Sequence, residues 1–455
     1  MGTMKLEKKT PCHVVALPYP GRGHINPMMN LCKLLASKQP DILVTFVVTE
    51  EWHGFIGSDP KPDNIRFSTL PNVIPSEIGR AKNFPGFVEA VRTKLQEPFE
   101  ILLDRLEPEV SVIVADPYVV WAVRVGNKRN IPVASLWTMS ASVFTTFDHF
   151  EMIRENGHFP ADVSVRGDEV IDYIPGISST RMADLPTIFY GDGQKVLNIA
   201  LEAVSSTHKA QYLLLTSFYE LEPHAYDTLR AKLSAPVYPI GPSIPLFELS
   251  KTAHDNDLNY LHWLDSQPKI SVLYISLGSF LSVSNAQMDE IVAGVKNSGV
   301  RFLWVARGDA SKLKDGVGDM GLVVPWCDQL RLLCHSSIGG FWSHCGWNST
   351  QEAVYAGLPV LTFPIFWDQI PTGKQIVEDW KIGYRVNKKK VDGEDLVTRE
   401  EIAELVQRFM DVESNEGKEM RKRAKRLQET CHGAIAKGGS SDSNLDAFIK
   451  DISQG

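Results

Sequence analysis

Between Trp326 and Gln369 the chain gathers indole, amide, imidazole and carboxylate side chains among glycines and prolines, with no lysine. Asn348 and Glu352 stand four apart, the spacing that puts two side chains on one face of a helix. Such a pair clamps a polar ligand. Far upstream lies His24, in Pro18-Tyr19-Pro20-Gly21-Arg22-Gly23-His24-Ile25-Asn26-Pro27, and Asp116 closes the apolar run Val112 to Ala115. An imidazole and a carboxylate are the side chains that proton transfer near neutral pH needs.

The elements that must carry these residues follow from the pattern. Ile338 to Trp342 reads as a buried strand, then a Gly-containing turn, then a helix from Trp347 to Tyr355 ended by Gly357 with Pro359 beyond. A helix opening directly from a buried strand presents free N–H groups and the positive end of its dipole, an anion site. Near the start, His13 to Leu17 is a strand, Asn26 with Pro27 is the expected helix cap, and Met28, Leu31, Cys32 and Leu35 form its buried face. Ile42 to Val48 is the next strand. Strand, Gly-rich loop, helix, strand opens a doubly wound α/β unit, in which the carboxyl ends of neighbouring strands share one crevice. That crevice is where His24 and Asp116 are expected to meet.

Further strands are expected at Ile65 to Leu70, Val112 to Ala115, Val133 to Leu136, Tyr212 to Thr216 and Val237 to Ile240, with a helix over Phe87 to Leu106. Gly167 to Gly193 reads as a long loop over a cleft. Gly241 to Pro245 and the polar run after it are linker chemistry. The pattern then restarts: strand Ser271 to Ser276, turn Leu277-Gly278-Ser279, helix Asn285 to Asn297, strand Val300 to Ala306. Two similar α/β units result, as expected for 455 residues. The stretch Thr398 to Ile452 is helical and charged.

Hydrophobic content of 43% with 22% charged residues is that of a globular protein. The net charge of −8 argues against a nucleic-acid partner. No apolar run approaches the roughly 20 residues that span a bilayer. The basic N-terminus MGTMKLEKKTPC lacks an apolar core, so it does not read as a signal peptide, and Leu6 spoils the myristoylation pattern. Six cysteines without paired spacing read as free buried thiols, and the cytosol is the expected compartment.

The order of residues says more. The Trp326 box, with Gln329, the run His344-Cys345-Gly346-Trp347-Asn348-Ser349, Glu352 and Asp368-Gln369, resembles the signature of plant family 1 UDP-sugar-dependent glycosyltransferases. Trp263-Leu264-Asp265-Ser266-Gln267-Pro268 and Val272 to Ser279 look like that family's start of the second domain, and the loop around His24 like its acceptor-side loop. The resemblance implies the GT-B arrangement of two facing Rossmann-like domains: residues 1–245 for the acceptor, 246–435 for the donor, and a last helix in 436–455 returning to the first. It implies a monomer that uses a UDP-sugar, glucose being the family's usual partner for a terminal Gln, and a small acceptor, with no metal and no other cofactor.

The resemblance also implies roles. Trp326 stacks on uracil, with Cys327 and Gln329 near base or ribose. Glu352 accepts from the ribose hydroxyls. His344, Asn348, Ser349 and Ser279 surround the diphosphate, and Gly23 borders the donor. Trp347, Asp368 and Gln369 hold the sugar. His24 and Asp116 match the family's dyad, with Thr138 beside the dyad or the sugar. Phe84, Phe87, Phe144, Phe147, Phe189 and Tyr190 are candidate acceptor walls, with Phe366 and Trp367 from the other side. Two departures stand out: Thr372 replaces the family's Asn after Asp368-Gln369, and Pro117 follows Asp116 and biases it to extended geometry.

Two rival readings exist. Gly21-x-Gly23 with Glu50 or Glu51 after the second strand imitates the dinucleotide fingerprint of a nicotinamide-dependent reductase, but Asn26 replaces the third glycine. A UDP-sugar-binding protein without catalysis is the other, and the intact His24 and Asp116 argue against it.

Overall fold

Alternate residues along each buried strand face opposite sides of the sheet. In the computed structural model, which describes residues 12–190, 194, 196–249, 255–278, 283–306, 320–386, 389–391 and 394–454, this alternation feeds two cores per sheet. Val15, Leu17, Ile113 and Ala115 enter one cluster, while Val14, Ala16, Val112 and Val114 enter another on the opposite face.

The first sheet holds β1 (Cys12–Leu17), β2 (Ile42–Thr49), β3 (Ile65–Leu70), β4 (Val112–Ala115), β5 (Val133–Trp137), β6 (Tyr212–Leu215) and β7 (Val237–Pro239). They lie in the order β3-β2-β1-β4-β5-β6-β7, all parallel. The order reverses between β1 and β4, where Leu17 pairs with Ala115. A doubly wound sheet binds ligands at such a switch point.

The second sheet holds β8 (Val272–Ser276), β9 (Arg301–Val305), β10 (Gly321–Val324), β11 (Ile338–Ser343), β12 (Val360–Thr362) and β13 (Gly383–Arg385). Its order is β10-β9-β8-β11-β12-β13, again parallel, with the reversal between β8 and β11. Two Rossmann-like sheets of seven and six strands are the GT-B architecture.

Three helices matter for the site. α1 (Arg22–Lys38) follows β1. It starts at Arg22 and not at the expected Asn26, because the Gly21 carbonyl already accepts from the N–H groups of both His24 and Ile25. Pro27 is therefore inside the helix. α2 (Trp347–Ala356) follows β11 and ends at Gly357, whose φ of 72° is the left-handed cap glycine tolerates. α3 (Ser440–Gln454) packs on the first sheet, with Leu445, Phe448 and Ile452 in the same cluster as Val14 and Phe46.

Other expectations are refined. The helix read over Phe87 to Leu106 is two helices, Phe84–Lys94 and Gln96–Leu103. The charged stretch from Thr398 comprises Arg399–Met410 and Asn415–Ile435 before α3. Gly167 to Gly193 carries a short ribbon, Val170–Ile171 with Thr180–Arg181, and Gly193 itself lies outside the described residues. All six cysteines are free, but Cys334 is exposed and Cys12 half-buried, so burial holds for the other four. No helix among the described residues is long and apolar enough to cross a membrane.

Candidate active site

Because α1 begins at Arg22, His24 sits on its first turn at the carboxyl end of β1. Asp116 follows β4, the neighbouring strand. The two meet: His24 Nδ1 lies 2.7 Å from Asp116 Oδ2, with the carboxylate buried and the imidazole a quarter exposed. The other oxygen, Oδ1, accepts the Tyr118 N–H at 2.9 Å, and the Asp116 N–H donates to the Leu17 carbonyl, so the carboxylate is aimed by its own backbone turn. Thr138, just past β5, places Oγ1 3.0 Å from the same His24 Nδ1. A carboxylate at Nδ1 sets the tautomer that leaves Nε2 as the proton acceptor.

Facing this pair is the start of α2. Pro27 has no N–H to return to the carbonyl four residues back, that of Gly23. Asn348, from the other unit, donates its Nδ2 to this carbonyl at 3.0 Å. The gap left by Pro27 thus becomes one point where the two sides of the cleft touch. Ser243, in the expected linker, ties the same helices together: its N–H donates to Gln351 Oε1 at 3.0 Å and its hydroxyl to the Pro27 carbonyl at 2.8 Å.

Gln329, Ser349 and Glu352 of the Trp326 box form one polar cluster. Trp326 itself is 56% exposed, a flat apolar face open to solvent. Gln329 donates to Ser349 Oγ at 3.0 Å and also to Glu352 Oε2, and its carbonyl accepts from the Tyr274 hydroxyl at 2.9 Å. Tyr274 also lies 3.5 Å from Cys327 Sγ. Burial pushes the Glu352 carboxyl up to about 7 against the help of Gln329. Burial likewise pushes His344 down to about 4, so its ring is neutral at pH 7. That ring is wedged between two glycines: a Cβ at Gly278 would stand 2.8 Å from its Cδ2, and one at Gly346 2.5 Å from its Nε2. Gly278 also has φ +86°, which side chains rarely adopt. Ser279, next to it, lies outside the described residues.

Asp368 and Gln369 follow a turn from Ile365. Gln369 Oε1 accepts from the N–H groups of Ile365 and Phe366 at 2.9 and 3.0 Å, leaving its amide nitrogen as the donor. Burial raises the Asp368 carboxyl to about 6, partly offset by the nearby His24. Thr372, at the departing position, donates its hydroxyl to the Asp368 carbonyl at 2.8 Å, so it stiffens this turn from behind.

Among the expected acceptor walls, Phe84, Phe366 and Trp367 come together with ring centroids 5.6 to 6.0 Å apart. Tyr190 is half-buried and next in sequence to Phe189, whose ring packs on Phe147 with centroids 5.3 Å apart. Phe87, Phe144 and Phe147 are core rings, 1%, 0% and 2% exposed, that hold the wall from behind. The Trp347 indole is also in the core, 3% exposed and packed toward Trp380, so what it presents at the helix start is backbone.

The sequence reading passed over Tyr19 and Tyr118. Both rings flank His24, at 5.1 and 6.1 Å, and Tyr118 stacks on Trp137 and meets Trp367 edge-on. Their signal was position: Tyr118 is two residues past Asp116, and Tyr19 lies in the turn before His24. The acids that imitated a dinucleotide fingerprint are otherwise engaged. Glu51 accepts from the Ser76 hydroxyl and the Glu77 N–H, and Glu50 from the Asn72 N–H.

Residues 238–406 match the family model described as UDP-glucoronosyl and UDP-glucosyl transferase. The chain is 58% identical over 440 residues to UDP-glycosyltransferase 87A1 of Arabidopsis thaliana, covering 96% of this chain and 100% of that one. To UDP-glycosyltransferase 87A2 of the same plant it is 59% identical over 442 residues, covering 97% and 96%. Among solved structures it is similar to UGT2 of Phytolacca americana complexed with UDP-2fluoro-glucose and pterostilbene, with a TM-score of 0.83 at 26% identity over 97% of this chain and 100% of that one.

Proposed function

The chain belongs to the plant family 1 UDP-glycosyltransferases, and on that premise we propose that it moves glucose from UDP-glucose to a hydroxyl of a lipophilic or phenolic small molecule, with inversion. The observation that carries this is the 2.7 Å contact between His24 and Asp116, held against the start of α2 through Asn348 and Gly23. His24 Nε2 takes the acceptor's proton while that oxygen bonds to the anomeric carbon. The bond from that carbon to the diphosphate breaks on the opposite face, and UDP leaves. Asp116 stabilises the imidazolium as it forms. Leaving-group charge is met by the free N–H groups of α2 and by His344.

Donor recognition is divided along the box. Trp326 offers its exposed face to uracil. Glu352, with Gln329 and Ser349 beside it, receives the ribose, and Asp368 with the Gln369 amide receives the hexose. Glucose is supported by Gln369 and by the UDP-2fluoro-glucose held in the Phytolacca relative. The acceptor lies against Phe84, Phe366 and Trp367, and the pterostilbene of that relative is an aromatic acceptor of the same kind. We divide the chain at 245/246 into acceptor and donor units, with 436–455 serving the first.

The test is incubation with UDP-glucose and a panel of phenols and terpene alcohols, followed by mass spectrometry for a hexose gain. Transfer is expected from the native chain and is lost in His24→Ala with UDP still bound. Transfer by His24→Ala at the native rate would remove the general-base role. UDP binding without transfer to any acceptor would leave a donor-binding protein.

A further inference from the structure

We propose that Thr187 is a positioning residue for the sugar-binding turn, clamping from the acceptor side its left-handed residue, Trp367. Trp367 sits at φ +57°. For a bulky residue this left-handed conformation is unfavourable and persists only where surrounding contacts enforce it. Within the turn the Gln369 N–H donates to the Phe366 carbonyl at 3.2 Å, and a further restraint comes from the other sheet's unit. The Trp367 N–H donates to Thr187 Oγ1 at 2.8 Å, and the Thr187 N–H returns a bond to the Trp367 carbonyl at 3.3 Å. Side chain and backbone of one threonine thus grip both polar groups of one peptide residue. The indole is sunk in the first unit's core, 9% exposed, edge-on to Tyr118 and Phe84.

What this holds in place is the next two residues. Asp368 and Gln369 leave the turn directly after Trp367, and Gln369 is already locked to the Ile365 and Phe366 N–H groups. Rotation at Trp367 therefore swings Asp368 and pulls Gln369 off those N–H groups.

Thr187 is itself anchored. Three residues before it, buried Asp184 pairs with Arg181 at 2.8 Å and with Arg385 of β13 at 2.7 Å. Two residues after it, Phe189 packs on Phe147 and Phe150. The segment that borders the acceptor is thus the one that sets the donor's sugar turn. The inference rests on Asp368 and Gln369 receiving the hexose.

Thr187→Val removes the hydroxyl acceptor at nearly constant shape and leaves the Trp367 N–H unpaired. Calorimetric titration with UDP and with UDP-glucose then separates sugar positioning from general damage. UDP does not reach the turn, so its affinity is expected to stay within about twofold, while UDP-glucose weakens about five- to tenfold. Thr187→Ser, which keeps the hydroxyl, is expected to restore the native ratio, and Thr187→Ala serves if valine crowds the site. Equal weakening of both ligands, or of neither, overturns the clamp. A native chain that fails to bind UDP-glucose would refute the donor reading itself, and the clamp with it.

Discussion

Replacing Glu352 with glutamine separates what this carboxylate costs the fold from what it gives the ligand. The side chain is 9% exposed, and burial raises its carboxyl from 4.5 to about 7. Ionising it inside the fold therefore costs roughly 3 kcal/mol, at about 1.4 kcal/mol per pH unit. The sign follows from proton counts. Between about pH 4.5 and 7 the folded chain holds a proton that the unfolded chain has lost, so stability falls as pH rises through this window. The penalty is absent below 4.5 and complete above 7. Glutamine keeps the shape and an oxygen for the Gln329 amide but has no charge to desolvate. In the absence of ligand, Glu352→Gln is expected to melt higher than the native chain at pH 8 by about 6–12 °C, at about 2–4 °C per kcal/mol for a unit of this size. At pH 5 the gap should shrink to a degree or two. UDP binding should move oppositely at pH 8, weakening about 10- to 100-fold with loss of a charged acceptor for the ribose. Native affinity should itself fall below pH 7 more steeply than that of the variant, which keeps only the titration of the ligand's phosphate and the other groups of the site. Calorimetric melting at pH 5 and 8, with UDP titrations at both, checks each part. A variant less stable than the native chain at pH 8, or offset equally at both pH values, would refute the reasoning.

Other perturbations test other parts of the cleft. Asp116→Asn should leave UDP affinity unchanged and lower the single-turnover transfer rate about 10²- to 10⁴-fold, because the imidazole loses the group that sets its tautomer and stabilises its charge. Trp326→Ala should weaken UDP about fivefold in calorimetric titration with no change in melting temperature, since that ring is largely exposed in the free protein. Asp184→Asn leaves Arg181 and Arg385 without their shared buried carboxylate and should cost about 1–3 kcal/mol, read as a lower melting temperature.

The elements that carry the Trp326 box were legible because their signals are local. The strand read over Ile338 to Trp342 extends only to Ser343, and the helix from Trp347 ends at Ala356 before its capping glycine. His24 and Asp116 were legible at longer range because a parallel sheet brings the ends of neighbouring strands together. The start of α1 was misjudged because the Asn26–Pro27 pair has the chemistry of a cap, whereas Gly21, whose carbonyl begins the helix, carries no side-chain signal. The aromatic wall was only half legible. Phe144 and Phe366 look alike in sequence, and only packing decides that one is core and the other lies at the cleft. Thr187 could not be found at all: its partner is 180 residues away, and threonine in a Pro-rich loop has many ordinary uses.

The helix rung missing at Pro27 has a consequence for how the cleft works in time. A helical carbonyl bonded within its own helix gives nothing away when a neighbour departs. The Gly23 carbonyl is instead shared between Asn348 and solvent, at an exposed helix start. Water replaces Asn348 there with a net loss of only about 1 kcal/mol, roughly a fivefold bias at this one contact. Losing this contact therefore neither frays α1 nor moves His24 off its aspartate. If the His24–Asp116 pair is the catalytic one, it stays assembled when this contact opens, so its geometry need not be rebuilt after each such event.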